Sequence, residues 1–141
     1  MFVDYAHTED SLYNVLSLLK EVVRDGRIIT LFGCGVDRDR AKRPLIGRVA
    51  CRLSDRVVVT SDNPRFEDPA SIMSEVEKGV KGEFNNYDMV LNRKRAIEKA
   101  IGMAREGDVV LLAGKGHEKY QIIKDKMVPF DDLEVARGLL R

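Results

Sequence analysis

Residues 28–35, Ile28-Ile29-Thr30-Leu31-Phe32-Gly33-Cys34-Gly35, decide how the chain is built. The run from Ile28 to Phe32 carries no charge and stops at glycine. A strand with one wet face alternates apolar and polar residues, whereas a parallel strand covered on both faces reads as a continuous run. The stretch therefore predicts a buried parallel strand ending in a glycine turn. The same form recurs. Val57 to Thr60 is a second buried strand, with Asp62-Asn63-Pro64-Arg65 leaving its carboxyl end. Val109 to Ala113 is a third, followed by Gly114-Lys115-Gly116-His117-Glu118. Phe2 to Ala6 and Met89 to Leu91 read as short strands.

Helical periods fill the gaps. Leu12, Val15, Leu16, Leu19 and Val22 share one face, with Thr8 or Asp10 as N-cap and Asp25-Gly26 as the stop. Leu45, Ile46, Val49, Ala50 and Leu53 make a second face, with Pro44 in the first turn. Asp68-Pro69 is a cap and first-residue pair for a helix carrying Ile72, Met73 and Val76. After the turn-like stretch from Lys81 to Asn86, Asn92 can cap the helix of Ala96, Ile97, Ala100, Ile101 and Ala104. Arg93, Lys94, Arg95 and Lys99 read as its solvated face. Tyr120 to Ile123 and Met127 to Phe130 flank Lys124-Asp125-Lys126 as a hairpin. Asp131 and Glu134 have capping-box spacing for a last helix with Leu133, Ala136 and Leu140 inward.

Strands alternating with amphipathic helices predict the α/β class. The expected architecture is a Rossmann-like three-layer sandwich: a mostly parallel sheet, helices on both faces, and an antiparallel C-terminal hairpin at its edge. Such sheets bind ligands outside the carboxyl ends of their strands, and the polar clusters sit at those ends.

Composition narrows the classes. With 141 residues, 44% hydrophobic and 33% charged, the chain makes one domain with a core. Its 24 basic and 23 acidic residues leave a net charge of +1, and aromatics are only 6% with no Trp, which disfavours a nucleic-acid partner. Nor is there a field to draw it to a membrane. Two cysteines, Cys34 and Cys51, make neither a disulfide framework nor a zinc ligand set, and fit a reducing cytoplasm. No apolar run approaches the ~20 residues that span a bilayer, and Met1 to His7 lacks the form of a signal peptide. A strand starting almost at Met1 is expected of a domain cut from something longer.

Each cluster has a plain reading and a chemical one. Gly33-Cys34-Gly35 lacks the third glycine of a dinucleotide fingerprint, and the charges from Asp37 to Arg43 can be a solvated first turn. Yet cations are unfavourable at a helix N-terminus unless an anion offsets them, so Arg38, Arg40, Lys42 and Arg43 suggest an anionic partner. Asp62-Asn63-Pro64-Arg65 can be a simple turn, or an amide and a guanidinium fork aimed at one carboxylate. Gly114-Lys115-Gly116-His117-Glu118 is not a P-loop; Glu118 could pair an ammonium, and His117 could do acid–base work or be structural. Asp4 could accept bonds from a ribose and His7 contact a base, or both could lie in an ordinary turn.

In their order along the chain, Asp4-Tyr5-Ala6-His7, Gly33-Cys34-Gly35, Asp37-Arg38-Asp39, Lys42-Arg43-Pro44, Asp62-Asn63-Pro64-Arg65 and Gly114-Lys115-Gly116-His117-Glu118 resemble the C-terminal domain of the Mur ligase family, in its meso-diaminopimelate-adding branch. The resemblance covers essentially all 141 residues. It departs at Val36, where many relatives have Gly, and at Glu9, where Pro often follows the His-Thr pair.

The resemblance implies that residues 1–141 are the amino-acid-binding domain of an ATP-dependent amide ligase in peptidoglycan synthesis. A central ATPase domain and an N-terminal UDP-binding domain would lie outside this chain. The expected partners are ATP with Mg2+, held mainly by the central domain, the UDP-N-acetylmuramoyl dipeptide, and meso-diaminopimelate. It places Arg38, Asn63 and Arg65 around the distal carboxylate of diaminopimelate, with Asp62 ordering their turn. Gly114, through its carbonyl, and Glu118 would receive the distal ammonium; Asp4 and His7 would contact ribose and base of ATP. Lys42 and Arg43 take no direct role, and no residue is expected to bind a metal. Lanthionine carries the same two distal groups as diaminopimelate. Two other readings stay open: a stand-alone nucleotide or amino-acid binding module, and the matching domain of a related amide ligase such as folylpolyglutamate synthetase.

Overall fold

The computed structural model describes residues 2–4, 8–34, 40–62, 67–114, 120–123, 126–129 and 132–140. Strands β1 (Phe2–Asp4), β2 (Ile28–Cys34), β3 (Arg56–Ser61), β4 (Tyr87–Met89) and β5 (Val109–Ala113) form one sheet in the order β1-β5-β2-β3-β4. Every pairing in it is parallel. The connecting helices are α1 (Glu9–Val22), α2 (Lys42–Leu53), α3 (Pro69–Glu77) and α4 (Arg93–Gly102). β6 (Tyr120–Ile123) and β7 (Lys126–Pro129) pair antiparallel before α5 (Asp132–Leu140). The hairpin forms as expected, but as a two-stranded sheet of its own and not as an edge of the main sheet. The edge beside β5 is taken by β1 in parallel register.

The sheet is covered on both sides, which is why its strands read as unbroken apolar runs. Ile28, Phe32 and Cys34 of β2, Val57 and Val59 of β3, and Leu111 and Ala113 of β5 pack under α1, α2 and α3. Their neighbours Ile29, Leu31, Val58, Val110 and Leu112 face Ala96, Ile97 and Ala100 of α4 and Ala136 of α5. The topology accounts for this division. The chain steps in one direction from β1 to β4, keeping three helices on one face, then turns back to insert β5 between β1 and β2.

Helix starts follow the side chains available at them. Thr8 caps α1: its hydroxyl accepts from Ser11 N at 3.2 Å, and Ser11 Oγ accepts from Thr8 N at 3.1 Å. Asp68 caps α3 by accepting from Ala70 N at 3.1 Å, with Pro69 following. Asn92 caps α4 through Arg95 N at 3.0 Å. Asp131 lies outside the described residues, and so do the side chains of Leu133 and Leu140.

Four expectations need correction. Arg93 is not on the solvated face of α4: it is 1% exposed, while Lys94, Arg95 and Lys99 are exposed. Val22 and Leu45, expected inward, are exposed. Val22 ends α1 and borders an apolar groove of about 500 Å³ shared with Leu19, Val23 and Val109 at the amino ends of β2 and β5. The strand expected at Met89–Leu91 is instead Tyr87–Met89, pairing Tyr87 with Val57 and Met89 with Val59.

Asp108 ties the amino ends of β2 and β5 together. It accepts from Arg27 N at 2.8 Å, Arg105 N at 2.9 Å, and Arg27 Nη2 at 2.9 Å. Backbone hydrogen bonds from Arg27 and Arg105, then the Arg27 side chain, hold its carboxyl down to about 2. A folded value below the unfolded one, roughly 3.9, means stability that is present above that value and lost as pH falls through the folded one. Asp108→Asn is thus expected to be less stable than the parent at neutral pH, with the gap closing between about pH 4 and pH 2. Urea titrations of both proteins across that range check it; a gap independent of pH would show that the charge contributes nothing.

Candidate functional site

β5, β2 and β3 are neighbours, and each leads at its carboxyl end into one of the polar clusters. The pairing runs to the very ends: Gly33 lies opposite Thr60 and Cys34 opposite Ser61, so β2 and β3 extend past the apolar runs. Gly33 makes this closeness possible. A β-carbon there would sit 2.6 Å from the Thr60 carbonyl oxygen and 2.9 Å from Asp62 N, nearer than atoms pack. Gly114, just beyond β5, has φ +107, a backbone state that side chains with a β-carbon disfavour. A β-carbon on it would stand 3.7 Å from Asp62 Oδ2 and 3.7 Å from the Gly33 carbonyl oxygen. Three strand ends thus meet around a carboxylate and a carbonyl oxygen. Asp62 itself is 8% exposed.

Beneath this floor lies Arg93. Its Nε donates to Asp132 Oδ1 at 2.8 Å and its Nη2 to Asp132 Oδ2. Its Nη1 donates to the Ser61 carbonyl at 2.9 Å, and Nη2 reaches the Ala113 carbonyl at 3.3 Å. Those two carbonyls belong to the residues immediately before Asp62 and Gly114. Ser61 returns the hold, donating from Oγ to the Leu91 carbonyl at 3.0 Å, next to the cap of α4. One guanidinium therefore joins the ends of β3 and β5 to the starts of α4 and α5. Both side chains of the pair are fully buried.

A second buried guanidinium stands at the start of α2. Arg43 Nη1 donates to Glu67 Oε2 at 2.8 Å and to Glu75 Oε2 at 2.7 Å, and Nη2 donates to Glu67 Oε1 at 3.0 Å. Arg40 Nη2 adds a bond to Glu67 Oε2 at 3.1 Å. The hydrogen bond from Arg43 holds the Glu67 carboxyl below its ordinary value, and the same bond raises the Arg43 guanidinium above its own. Two of the four cations that suggested an anionic partner are accordingly matched by the protein's own carboxylates. Lys42 is exposed.

Of the site residues expected from sequence, Asp62 and Gly114 are side by side. The backbone of Asp4 lies opposite Ala113 at the end of β1, one residue from Gly114 in the neighbouring strand. Arg38, Asn63, Arg65, Glu118 and His7 lie outside the described residues. The described ends of their segments are placed: Cys34 and Arg40 bracket the first, Asp62 and Glu67 the second, Gly114 and Tyr120 the third. Arg93, Asp132 and the Arg43–Glu67–Glu75 cluster were missed. A signal for the arginines was present: Arg93 shares the apolar stripe of Ala96, Ile97 and Ala100, and Arg43 that of Ile46, Gly47 and Ala50. A cation on such a stripe must be buried with a partner.

With this geometry in hand, likeness to known proteins is informative. Residues 1–116 match the family described as Mur ligase, glutamate ligase domain. A UDP-N-acetylmuramoyl-L-alanyl-D-glutamate–2,6-diaminopimelate ligase of Solibacter usitatus is 54% identical over 139 residues, covering 99% of this chain and 28% of the relative. A ligase of the same description from Syntrophomonas wolfei subsp. wolfei is 52% identical over 142 residues, covering 100% of this chain and 29% of its own. A solved diaminopimelate ligase of that description superposes with a TM-score of 0.91 at 42% identity, over 98% of this chain and 28% of that one. The chain spans less than a third of the length of these relatives.

The Arg93 clamp makes a prediction that separates its two parts. Asp132→Ala leaves a buried guanidinium without its carboxylate and is expected to destabilise the fold by about 3–5 kcal/mol. If the ion pair were the whole of it, replacing both partners by apolar residues would be nearly neutral. Because Arg93 also holds two strand-end carbonyls, Arg93→Met with Asp132→Leu should still cost about 1–3 kcal/mol. Urea denaturation of the three proteins decides; a neutral double variant would mean the carbonyl contacts contribute nothing.

Proposed function

Because the chain belongs to the Mur ligase family, we propose that residues 1–141 form the amino-acid-binding C-terminal domain of a ligase that joins meso-diaminopimelate to UDP-N-acetylmuramoyl-L-alanyl-D-glutamate in peptidoglycan synthesis. The observation that carries the reading is the meeting of β5, β2 and β3 around Asp62 and Gly114, with each diaminopimelate-type motif starting from one of those strands.

The proposed division of labour follows from charge. Arg38, Asn63 and Arg65 grip the distal carboxylate, where a guanidinium offers a planar fork matched to a carboxylate. Gly114, through its carbonyl, and Glu118 take the distal ammonium, beside the acceptors of Gly33 and Asp62. Asp62 orders the turn that follows it. Asp4 and His7 contact the ribose and base of ATP, consistent with the end of β1 lying beside β5. ATP, bound with Mg2+ mainly by a central domain outside these residues, would supply the dipeptide carboxylate in activated form as an acyl phosphate. The diaminopimelate amine then attacks that carbonyl carbon: the C–N bond forms, the bond to phosphate oxygen breaks with its electron pair leaving on phosphate, and the amine loses a proton. This domain's part is to hold the amine in place and to select it. The work belongs in the cytoplasm, where the nucleotide substrates are; no described helix is long and apolar enough to cross a membrane.

Lysine lacks the distal carboxylate, so it would leave the Arg38, Asn63 and Arg65 donors unpaired. Sites built around a polar group reject analogues lacking it by ~10⁴-fold or more. In the complete ligase carrying this domain, kcat/KM for diaminopimelate should exceed that for lysine by about that factor. Comparable values for the two would sink the assignment. Lanthionine, with the same distal groups, should be accepted.

A second measurement addresses the residues. Arg65→Ala in the same ligase is expected to raise KM for diaminopimelate far more than KM for ATP. Equal effects on both would count against the placement. The 141-residue chain contains no Gly-x-x-x-x-Gly-Lys-Ser/Thr motif, and by itself it should make no amide bond from ATP, dipeptide and diaminopimelate.

A further inference from the structure

The main sheet divides at the end that carries Asp62 and Gly114. β2 and β5 pair from Ile28 opposite Val109 as far as Leu31 opposite Leu112. Beyond that row β2 keeps to β3, with Cys34 opposite Ser61, and β5 keeps to β1, with Asp4 opposite Ala113. Asp62 therefore follows one lip of the division and Gly114 the other. We propose that Arg93 is a positioning residue for the diamino-acid site: bonded to the last carbonyl of each lip, it sets how far apart Asp62 and Gly114 stand. The inference rests on reading the floor they form as the subsite for the distal ammonium.

Three observations support it. First, backbone pairing does not hold the lips together. A ladder fixes neighbouring strands at ~4.8 Å, but past Leu31 and Leu112 no pairing between β2 and β5 occurs among the described residues. The lips are nonetheless close, since a β-carbon on Gly114 would stand 3.7 Å from the Gly33 carbonyl oxygen and 3.7 Å from Asp62 Oδ2. Second, Arg93 reaches both lips with one rigid group. Nη1 donates to the Ser61 carbonyl at 2.9 Å and Nη2 to the Ala113 carbonyl at 3.3 Å. Each carbonyl shares a planar peptide with the amide nitrogen of Asp62 or Gly114, so its orientation is passed directly to the site residue. Third, the bridge is anchored apart from the lips. Asp132 accepts from Nε at 2.8 Å and from Nη2 at 2.6 Å, with both side chains fully buried. Arg93 and Asp132 are the first residues of α4 and α5, so two helices fix the guanidinium. The carboxylate also neutralises it; an unpaired cation beneath the floor would oppose an ammonium above. Recognition needs groups held within ~0.5 Å by such supports. The choice of arginine follows, because a lysine is a point charge and cannot engage Asp132 and both lips in one plane.

The test compares Arg93→Lys, the double variant Arg93→Met with Asp132→Leu, and Asp108→Asn as a control at the opposite end of the sheet. KM is measured in the complete ligase carrying this domain; melting temperature and backbone carbonyl and amide resonances are measured in the 141-residue chain. Arg93→Lys and the double variant should each raise KM for diaminopimelate at least about tenfold, with KM for the UDP-N-acetylmuramoyl dipeptide changed less than about threefold. Both should move the resonances of the Ser61–Asp62 and Ala113–Gly114 peptides together. Asp108→Asn should lower the melting temperature and leave both KM values within about threefold. A merely structural clamp would lower the melting temperature and the amount of active enzyme without raising KM for diaminopimelate selectively, and that result would overturn the proposal. So would resonances that move at one lip only. If Arg93→Lys fails to fold, the double variant, which leaves no buried charge unpaired, carries the comparison. If the parent ligase does not use diaminopimelate while both peptides still respond to the variants, the ammonium reading fails and the spacing role of Arg93 stands. If the parent uses diaminopimelate and the variants do so with unchanged KM, the positioning role fails and the ligand reading stands.

Discussion

The Arg93 guanidinium is the interaction on which the upper end of the sheet depends. It engages Asp132 with two nitrogens and reaches the last carbonyls of β3 and β5 with the same group. β3 and β5 are not neighbours, since β2 runs between them. No ladder of backbone hydrogen bonds can set their distance directly. A fork donor of fixed planar geometry can, and it does so at the residues preceding Asp62 and Gly114. It also brings α5, the last element, onto the same face as α4. Burying this charge without a carboxylate would cost several kcal/mol, so the position of Asp132 is constrained as tightly as that of any core residue.

The α/β plan was open to reading because its physics is local. Covered parallel strands must be apolar throughout, and the runs at Ile28, Val57 and Val109 say so without knowledge of their partners. Caps are local too: Asp68-Pro69 and Asn92 specify helix starts from neighbouring residues. Strand ends were harder. Gly33 looks like a terminator, yet pairing continues through Cys34 because glycine is what lets β2 lie against the end of β3. The side of a helix was legible, but burial along its length was not, as Val22 shows by opening onto a groove at the end of α1.

The buried arginines show a different limit. Charge alone assigns them to the surface, and their carboxylates lie far along the chain, 39 residues away for Asp132 and 24 for Glu67. Periodicity held the contrary signal, since both occupy the first turn of a helix on its apolar stripe. Their shared location has a topological cause. In a βα unit the helix N-terminus returns to the carboxyl end of the sheet, so polar residues there meet strand ends and the loops between them. Two cations at helix N-termini would be unfavourable alone; each is instead neutralised by carboxylates from another segment. Of the candidate site, the order of motifs was legible, along with the juxtaposition of Asp62 and Gly114 that strand ends imply. The supports below them were not, because each joins segments remote in sequence.

These pairings also reinterpret the net charge of +1. Arg27 with Asp108, Arg43 with Glu67 and Glu75, Arg56 with Asp88, and Arg93 with Asp132 cancel one another locally. A buried guanidinium already engaged by two protein carboxylates has little left to offer an anionic ligand, which removes Arg43 from the candidates in the stretch after β2; Arg40, despite its bond to Glu67, is 68% exposed. The case for an anion there rests on Arg38, Arg40 and Lys42, of which the proposed function uses Arg38. The floor below is of opposite character, made of the Asp62 carboxylate and the Gly33 carbonyl. In the proposed function the donors of Arg38, Asn63 and Arg65 take a carboxylate and this acceptor-rich floor an ammonium, so the site would have two polarities. In the proposed ligase a side chain ending in both a carboxylate and an ammonium would answer both; lysine would answer only the floor.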